Sequence, residues 1–186
     1  DNVQATRLAV KHLIALGHRR IGFLSGPIRT ISRRERLEGY KSALAEADLS
    51  TEGGLVWEGV PSTRYGDAEA FELGRQGAQG LLSHSNPPTA IFAINDYYAF
   101  GVYAGARDMG IHIPSDLSVV GFDDIALTQV VDPPLTTVRQ PIAQVARAAV
   151  ERLVGRLEGS YTGPCDHQTL MSQLIVRGST TRLQDS

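Results

Sequence analysis

Arginine, aspartate and asparagine are concentrated where the predicted strands of this sequence end. The full set of polar residues at these points is Ser32, Arg33, Arg34, Arg36, Ser62, Thr63, Arg64, Asn95, Asp96, Asp123, Asp124, Arg139 and Gln140. Guanidinium groups donate hydrogen bonds and carboxylates accept them, so the set suits a ligand with vicinal hydroxyls or a heterocycle edge. It contains no histidine, no cysteine and no serine with a base beside it, which are the parts of a nucleophilic site. These residue types therefore favour ligand binding over catalysis.

Alternating strand-like and helix-like segments position these side chains. Short apolar runs at residues 21–24, 90–94 and 117–122 predict buried strands. Apolar residues at helical spacing lie between these runs, and Gly17 and Gly110 mark where two of the helices end. The pattern predicts an α/β fold, a three-layer doubly wound parallel sheet covered by helices on both faces. Ligands bind to such a sheet beyond the carboxyl ends of its strands, where the polar set lies.

The last part of the chain continues this alternation. A strand is predicted at residues 136–139, a helix at residues 142–157 and a final strand near residues 170–176. The residues after Arg177 are polar, and we expect this tail to be loosely held.

The composition bounds the class of protein. The chain has 186 residues, of which 42% are hydrophobic, enough for one substantial globular domain. Its net charge of −2 gives no basic footprint, so we expect no nucleic-acid binding by this segment. Cys165 is the only cysteine, and the five histidines show no metal-ligand spacing, so we expect neither a metal nor a cofactor. No apolar run approaches the length of a membrane span and no export signal is visible, so a cytoplasmic protein is predicted.

Two of the polar positions have an equally good structural explanation. Asn95 or Asp96 could cap the helix that begins there instead of binding a ligand. Asp123 follows a strand with no obvious helix after it, so capping explains Asp123 less well. The glycines at residues 74–80 lie within a helical pattern and do not form the G-x-G-x-x-G motif, so no dinucleotide site is predicted.

The arginines after the first strand are ambiguous when taken alone. Arg36 lies one residue before the core-facing Leu37, and such a position more often holds a solvated side chain or a surface ion pair. We expect Arg33 and Arg34 to be side chains of this kind, solvated or in surface ion pairs.

Six stretches of the chain, taken together, match a known pattern in order and with normal spacing. They read LIALGHRRIGFLSGP at residues 13–27, RRERLEGYKSAL at 33–44, PPTAIFAINDYYAFG at 87–101, GIHIPSDLSVVGFDDI at 110–125, PPLTTVRQP at 133–141 and LIVRGST at 174–180. Each resembles a signature segment of the lactose-repressor (LacI/GalR) family of bacterial transcription regulators, and together they cover essentially the whole chain. By this resemblance the chain is identified as the effector-binding core of such a regulator.

The resemblance implies a periplasmic-binding-protein-like fold of two α/β lobes joined by three strand crossovers, with the effector in the cleft between them. Residues 1–138 would form the C-terminal lobe, residues 139–159 a strand and helix that return to the N-terminal lobe, and residues 160–186 the return crossover, a final strand and the tail. The second lobe is then largely missing, as is the helix-turn-helix head that precedes the core in this family. We expect a chain cut in this way to bind effector weakly and to bind no specific DNA.

The resemblance also implies the residues of the effector site. Carried over by position, Ser32, Arg36, Asn95 and Asp123 contact the effector, and Arg36 and Asp123 form the main hydrogen-bonding pair. The implied effector is a small molecule, a sugar or a nucleoside-like compound.

One departure from the family pattern affects this site. A weaker strand, the second along the chain, is predicted at residues 55–57. Where relatives often place an aromatic ring after this strand, to stack on the ligand, this chain has Pro61. Tyr65 or Trp57 would have to replace that ring, so the departure leaves the identity of the effector open.

The resemblance implies macromolecular partners as well. In an intact relative, effector binding changes the angle between the lobes of a homodimer and so the spacing of its DNA-reading heads. The partners expected are therefore operator DNA, read through a head domain absent from this chain, and a second copy of the protein. The predicted dimer contacts are Tyr97, Phe100, Val130 and Val131, with packing of Phe100 in the core as the alternative.

Two other classes of protein are alternatives to the regulator. A periplasmic-type sugar-binding protein shares the two-lobed fold, but the segments VVGFDDI and LTTVRQP favour the regulator. An enzyme on a doubly wound sheet would need a phosphate-binding glycine loop, a nucleophile elbow or a candidate base, and the sequence shows none of these. An enzyme is therefore not predicted.

Overall fold

A six-stranded, mostly parallel sheet forms the centre of the protein in a computed structural model of the chain. The structure describes residues 1–51, 55–60, 66–164 and 167–183. The strands are β1 (Ile21–Ser25), β2 (Val56–Glu58), β3 (Ala90–Ala93), β4 (Ser118–Asp123), β5 (Thr136–Arg139) and β6 (Gln173–Ile175). They lie in the order β2-β1-β3-β4-β5-β6, and all neighbours run parallel except β5 and β6.

Helices cover both faces of this sheet. The helices of the described part of the chain are α1 (Asn2–Ala15), α2 (Ile31–Ala45), α3 (Asp67–Leu82), α4 (Asp96–Asp108) and α5 (Ile142–Leu157), and a 3₁₀ turn spans Ala126–Gln129. The first four of these helices cover the sheet. Helix α1 packs against α2, and α3 packs against α4, so one pair lies on each face. The predicted three-layer doubly wound α/β architecture is therefore confirmed. It brings the loops that follow β1, β3, β4 and β5 to one edge of the sheet.

The strands form the core because nearly all of their residues are apolar. Every residue of β1 and β3 is buried. The rings of Phe23, Phe92 and Phe122 form a row across the sheet, with successive centroids 5.9 and 6.5 Å apart. Parallel strands that are covered on both faces need no polar alternation, which is why they appear in the sequence as continuous apolar runs.

Glycines allow α3 and α4 to approach closely. A Cβ on Gly74 would overlap the carbonyl oxygen of Tyr98, and a Cβ on Gly101 would overlap that of Phe71. The glycines at residues 74–80 therefore serve helix packing, in agreement with their position in a helical pattern. The close pair holds the amino end of α4 at the carboxyl edge of the sheet.

The carboxyl-terminal residues are held more firmly than the sequence predicts. Ser179 is fully buried; its hydroxyl donates to the Val119 carbonyl at 2.6 Å and accepts from the Thr136 N–H at 2.8 Å. The prediction of a loosely held tail after Arg177 is wrong for residues 178–183. The reason is that polar side chains in this segment complete the hydrogen bonding of buried strand ends.

Helix α5 lies where the sequence predicts it, but none of its residues is buried. Its apolar residues recur at helical spacing, yet Leu153 is 60% exposed and Leu157 is 79% exposed. The described part of the chain therefore leaves the apolar face of α5 uncovered. Among the described residues, no helix is long and apolar enough to cross a lipid bilayer.

Candidate functional site

The carboxyl edge of the sheet brings Arg36 and Asp123 together. Helix α2 begins there because the Thr30 hydroxyl accepts from the Arg33 N–H at 3.3 Å and caps the helix, which then projects Arg36 from its second turn. Asp123 is the last residue of β4. The Nη2 atom of Arg36 lies 3.7 Å from Oδ1 of Asp123. Two residues far apart in the sequence thus form an ion pair at the edge where the polar set was predicted to meet.

Arg36 is held by three further contacts. Its Nη1 donates to the Ile94 carbonyl at 2.6 Å, and its Nε donates to Asn2 Oδ1 at 3.1 Å. The guanidinium carbon lies 3.6 Å from the centroid of the Phe122 ring, which fixes the plane of the group. Burial lowers the pKa of Arg36 and attraction to Asp123 opposes that shift, so the side chain stays charged. Arg36 is therefore a rigid cation whose Nη2 group faces Asp123.

Asp123 is less tightly held than Arg36. Its Oδ1 accepts from Gln140 Nε2 at 2.7 Å, but the 3.7 Å separation from Arg36 is too long for a hydrogen bond. Burial raises the pKa of Asp123, while Arg36 and the hydrogen bond from Gln140 lower it. Its side chain is 30% exposed, against 11% for Arg36. The carboxylate therefore has room for a further hydrogen-bond donor on its solvent side.

Asn95 and Ser32 lie at the same edge and have structural partners there. Asn95 Oδ1 accepts from the Tyr98 N–H at 3.1 Å and caps α4, which is the structural alternative that its position allowed. Ser32 lies one helical turn before Arg36, so the two side chains share a face of α2. The Ser32 hydroxyl is 3.2 Å from that of Thr30. Both Asn95 and Ser32 are partly exposed.

Both carboxylate oxygens of Asp124, the neighbour of Asp123, accept hydrogen bonds from arginines. Its Oδ1 accepts from Arg177 Nη2 at 2.7 Å and its Oδ2 accepts from Arg139 Nε. Burial would raise the pKa of Asp124, but these hydrogen bonds outweigh burial and lower that pKa. Asp124 and Arg139 therefore hold the loop after β4 in place, and their charges are used within the protein.

Arg33 is partly exposed but bonds to groups of the protein, which the prediction of a solvated or ion-paired side chain did not include. Its Nη1 donates to the Pro27 carbonyl at 2.8 Å, and its Nη2 lies 3.4 Å from the Tyr98 hydroxyl. The prediction missed these bonds because the tight turn after β1 brings a backbone carbonyl within reach of the first turn of α2. Arg34 is exposed, as predicted.

Three groups that hold the site were missed by sequence reasoning. Asn2, at the amino end of α1, supports Arg36 but lies far from it in sequence, and no pattern pointed to it. Phe122 was recognised only as a core residue, although its position directly before Asp123 placed it at the same edge. Gln140 belonged to the polar set after β5 but was not one of the four predicted effector contacts.

The four predicted dimer contacts lie on α4 and in the loop after the 3₁₀ turn. Tyr97, Phe100 and Val131 are partly buried against the core, and the rings of Tyr97 and Phe100 meet edge to face at 6.0 Å. Val130 is 74% exposed. Phe100 and Val131 also line a cavity of about 490 Å³. None of the residues that line this cavity belongs to the Arg36–Asp123 edge.

The loop after β2 is only partly described. Residues 61–65, with Pro61 and Tyr65, lie outside the described residues, and so does Cys165. Trp57 packs against α3, because a Cβ on Gly77 would come within 2.7 Å of its ring. The ring of Trp57 is therefore engaged in packing.

The edge is suited to binding a polar ligand. Arg36 provides fixed donors and Asp123 provides an acceptor, so ligand hydroxyls placed between them would satisfy both. Within the ranges that the structure describes, no group of three or more histidine, cysteine, aspartate or glutamate side chains is placed to hold a metal ion. Arg36 and Asp123 offer hydrogen bonding and charge compensation at this edge.

The doubly wound sheet with its polar carboxyl edge defines an α/β domain of the class whose members bind ligands beyond the ends of their strands. The family model described as "Periplasmic binding protein-like domain" matches residues 10–180 of the chain. The chain is 37% identical over 183 residues to the HTH-type transcriptional repressor CytR of Escherichia coli K12, an alignment that covers 98% of this chain and 51% of CytR.

Solved structures agree with this match. A regulatory protein of the LacI family from Chloroflexus aggregans has a TM-score of 0.86 and 39% identity, covering 98% of this chain and 63% of that one. A LacI family transcriptional regulator from Enterococcus faecium with bound ribose has a TM-score of 0.81 and 30% identity, covering 99% of this chain and 65% of that one. The chain belongs to the LacI family and corresponds to the effector-binding part of its relatives. It spans about half the length of CytR.

Proposed function

We propose that this chain senses a small effector, a sugar or a nucleoside-like compound, on behalf of a DNA-binding transcription regulator. The observation that carries the proposal is the Arg36–Asp123 pair, 3.7 Å apart at the carboxyl edge of the sheet. The family resemblance implies effector contacts at these two positions, and the Enterococcus faecium relative is described with bound ribose. Ser32 and Asn95 complete the proposed contact set.

The geometry of the pair favours an effector with hydroxyl groups. A hydroxyl both donates and accepts, so one hydroxyl can accept from Arg36 Nη2 while its neighbour donates to Asp123. The two side chains carry opposite charges that already compensate one another, so a neutral ligand fits better than an ion. Vicinal hydroxyls on a sugar ring or on the ribose of a nucleoside meet both requirements.

The proposal assigns a role to each segment of the chain. Residues 1–138 form the C-terminal lobe, residues 139–159 return to an N-terminal lobe, and residues 160–186 cross back. The apolar face of α5 supports this division, because the described residues leave it uncovered. In this scheme the second lobe closes over the effector and covers α5.

The output of the proposed sensor is DNA binding by the whole regulator. Effector bound between the lobes changes their relative angle, and a helix-turn-helix head outside this chain reads operator DNA. The name of the relative CytR, an HTH-type transcriptional repressor, favours this role over that of a periplasmic-type sugar-binding protein or an enzyme. A regulator of this kind works in the cytoplasm, where its DNA lies.

Calorimetric titration of the full-length protein tests the effector site. The probes are D-ribose, D-galactose, maltose, adenosine and cytidine. For whichever probe binds, Asp123→Asn and Arg36→Lys are each expected to weaken binding by about 10- to 100-fold, because a charge-assisted hydrogen bond is lost. Asp132→Asn, at an exposed aspartate between the 3₁₀ turn and β5, is the matched control and should leave affinity unchanged. Unchanged affinity in both site variants would show that Arg36 and Asp123 do not bind the effector, and the proposal would fail.

The dimer surface is the second part of the proposal. Val130 is 74% exposed beside the cavity lined by Phe100 and Val131, and a second copy of the chain would bury it. Val130→Asp is expected to raise the dimer dissociation constant at least about tenfold in sedimentation experiments. Val60→Asp is the control, because Val60 is similarly exposed, at 78%, after β2. Equal dissociation constants for Val130→Asp and the unmodified protein would place the dimer contact elsewhere.

A further inference from the structure

The turn at Asp123 and Asp124 needs support from outside itself. These residues have φ angles of +115° and +57°, in the positive-φ region that residues other than glycine rarely adopt. The direction in which Asp123 presents its carboxylate to Arg36 therefore depends on what holds the turn. Arg177 and Arg139 hold the side chain of Asp124. The backbone that leaves the turn has a separate anchor.

That anchor is Asp96, the first residue of α4, which is 1% exposed. Its Oδ2 accepts from the Ile125 N–H at 2.9 Å, and its Oδ1 accepts from the Thr137 hydroxyl at 2.6 Å. Ile125 follows the turn directly and Thr137 lies on β5, so Asp96 ties the exit of the turn to α4 and to the next strand. The amino end of a helix also favours a carboxylate at this position.

Strand β4 leaves space for this carboxylate. A Cβ on Gly121 would overlap Asp96 Oδ1, so a larger residue there would push Asp96 away from Thr137. Gly121 lies on β4, two residues before Asp123. Gly121 on β4 therefore leaves room for Asp96, at the start of α4, to bond to the Thr137 hydroxyl on β5. These three residues lie next to the turn.

We propose that Asp96 is a positioning residue that sets the direction of the Asp123 carboxylate by anchoring the backbone of Ile125. The inference rests on the proposed function, because the direction of Asp123 matters for an effector only if this edge binds one. Asp96 does not reach the ligand itself, since it is buried and both of its oxygens are occupied. Without the anchor, the turn relaxes and carries Asp123 away from Gln140 and Arg36.

Amide hydrogen exchange, followed by NMR on the protein without ligand, tests the anchor directly. Asp96→Ala is expected to raise the exchange rate of the Ile125 amide at least about tenfold relative to the amides of β1 and β3, because the acceptor is gone. Asp96→Asn is expected to restore protection, since its side-chain oxygen accepts from Ile125 and its amide donates to Thr137 Oγ1. If Asp96→Ala instead raised exchange at Ile125 and at the amides of β1 and β3 by the same factor, the variant would have lost stability throughout, and the specific anchor at Ile125 would be contradicted.

A matched control and a gentler variant complete the test. Asp116 Oδ2 accepts from the His112 N–H at 2.8 Å in a different loop, so Asp116→Ala removes the same kind of bond and should leave Ile125 unchanged. Thr137→Val keeps the side-chain shape, removes only the bond to Oδ1, and is expected to raise Ile125 exchange about threefold. The proposal is overturned if Ile125 exchange and the NMR titration of the Asp123 carboxyl are unchanged in whichever of Asp96→Ala and Thr137→Val folds.

Effector affinity provides a separate readout. With the calorimetric probe that binds, Asp96→Ala is expected to weaken binding about tenfold and Asp96→Asn to restore it. If Ile125 is released but the affinity for that probe is unchanged, the positioning of Asp123 is supported and its role as an effector contact is contradicted. The failure of this inference and the failure of the proposed function are therefore distinguishable.

Discussion

The central sheet and helix α5 are built from the same apolar residue types but end in opposite states. Leu117, next to β4, is fully buried between layers, whereas Leu153 on α5 is 60% exposed. An apolar side chain stabilises a fold in proportion to the area it removes from water, so the two leucines contribute very differently. The comparison teaches that the sheet and its four packed helices bury their apolar side chains against one another. Helix α5 instead presents an apolar surface that the described residues do not cover.

The largest effect is expected in the core. Leu117→Ala should lower the free energy of unfolding by about 3 kcal/mol, because it removes buried methyl groups and leaves a cavity. Urea denaturation followed by circular dichroism measures this change. A loss below about 1 kcal/mol would show that the region around Leu117 is packed no better than α5.

The next effect is expected at the carboxyl edge. Asp124→Asn should lower the free energy of unfolding by about 2 kcal/mol, because it leaves the charge of Arg177 without its partner in a site where that side chain is 14% exposed. Asp132→Asn, at an exposed position, is the control in the same denaturation assay. Equal stability of the two variants would mean that the ion pair between Asp124 and Arg177 does not stabilise the fold.

A pH dependence is expected from the buried anchor at the same edge. Burial raises the pKa of Asp96 to about 7, with Asp123 and Asp124 adding to the shift and the hydrogen bonds from Thr137 and Ile125 opposing it. The folded state therefore binds this proton more tightly than the unfolded state, so the contribution of Asp96 to stability is full below about pH 4 and is lost as the pH rises through about 7.

Asp96→Asn stays neutral and removes this dependence. The stability of the unmodified protein relative to Asp96→Asn should fall by up to about 1 kcal/mol per pH unit between about pH 5 and 7. Denaturant midpoints measured across that range check the slope. Parallel stability curves for the two proteins would contradict the raised pKa of Asp96.

The smallest effect is expected on α5. Leu153→Ala should change the free energy of unfolding of this chain by no more than about 0.5 kcal/mol, because the side chain is already exposed and alanine favours the helix. The same denaturation assay applies, with Leu117→Ala as the contrasting buried leucine. A cost close to that of Leu117→Ala would mean that α5 is covered within this chain.

Most of the fold could be predicted because buried parallel strands appear in a sequence as continuous apolar runs. The runs at β1, β3 and β4 are of this kind, and the helices between them carry apolar residues at helical spacing. The shared edge of the polar residues could also be predicted, because the carboxyl ends of parallel strands lie together. Short-range patterns and one rule of topology are enough for the fold and for this edge, whereas the choice of Arg36 and Asp123 as a pair came from the family resemblance.

The contacts that fix the edge could not be predicted, because they depend on three-dimensional packing between distant segments. Nothing in the sequence couples Asn2 to Arg36, and the bond from Asp96 to Ile125 depends on a turn with unusual φ angles. The tail beyond Arg177 was misjudged because its polar composition is typical of solvated segments. Here the hydroxyl of Ser179 is used inside the fold.

The shortness of the outer strands has a consequence for solubility. The open edge of a sheet exposes unpaired backbone groups, which act as a template for the strand of another molecule. In this protein β2 lies at one edge and β6 at the other, and each spans three residues. An approaching chain therefore finds few groups with which to extend the ladder, and we expect this sheet to resist edge-to-edge aggregation.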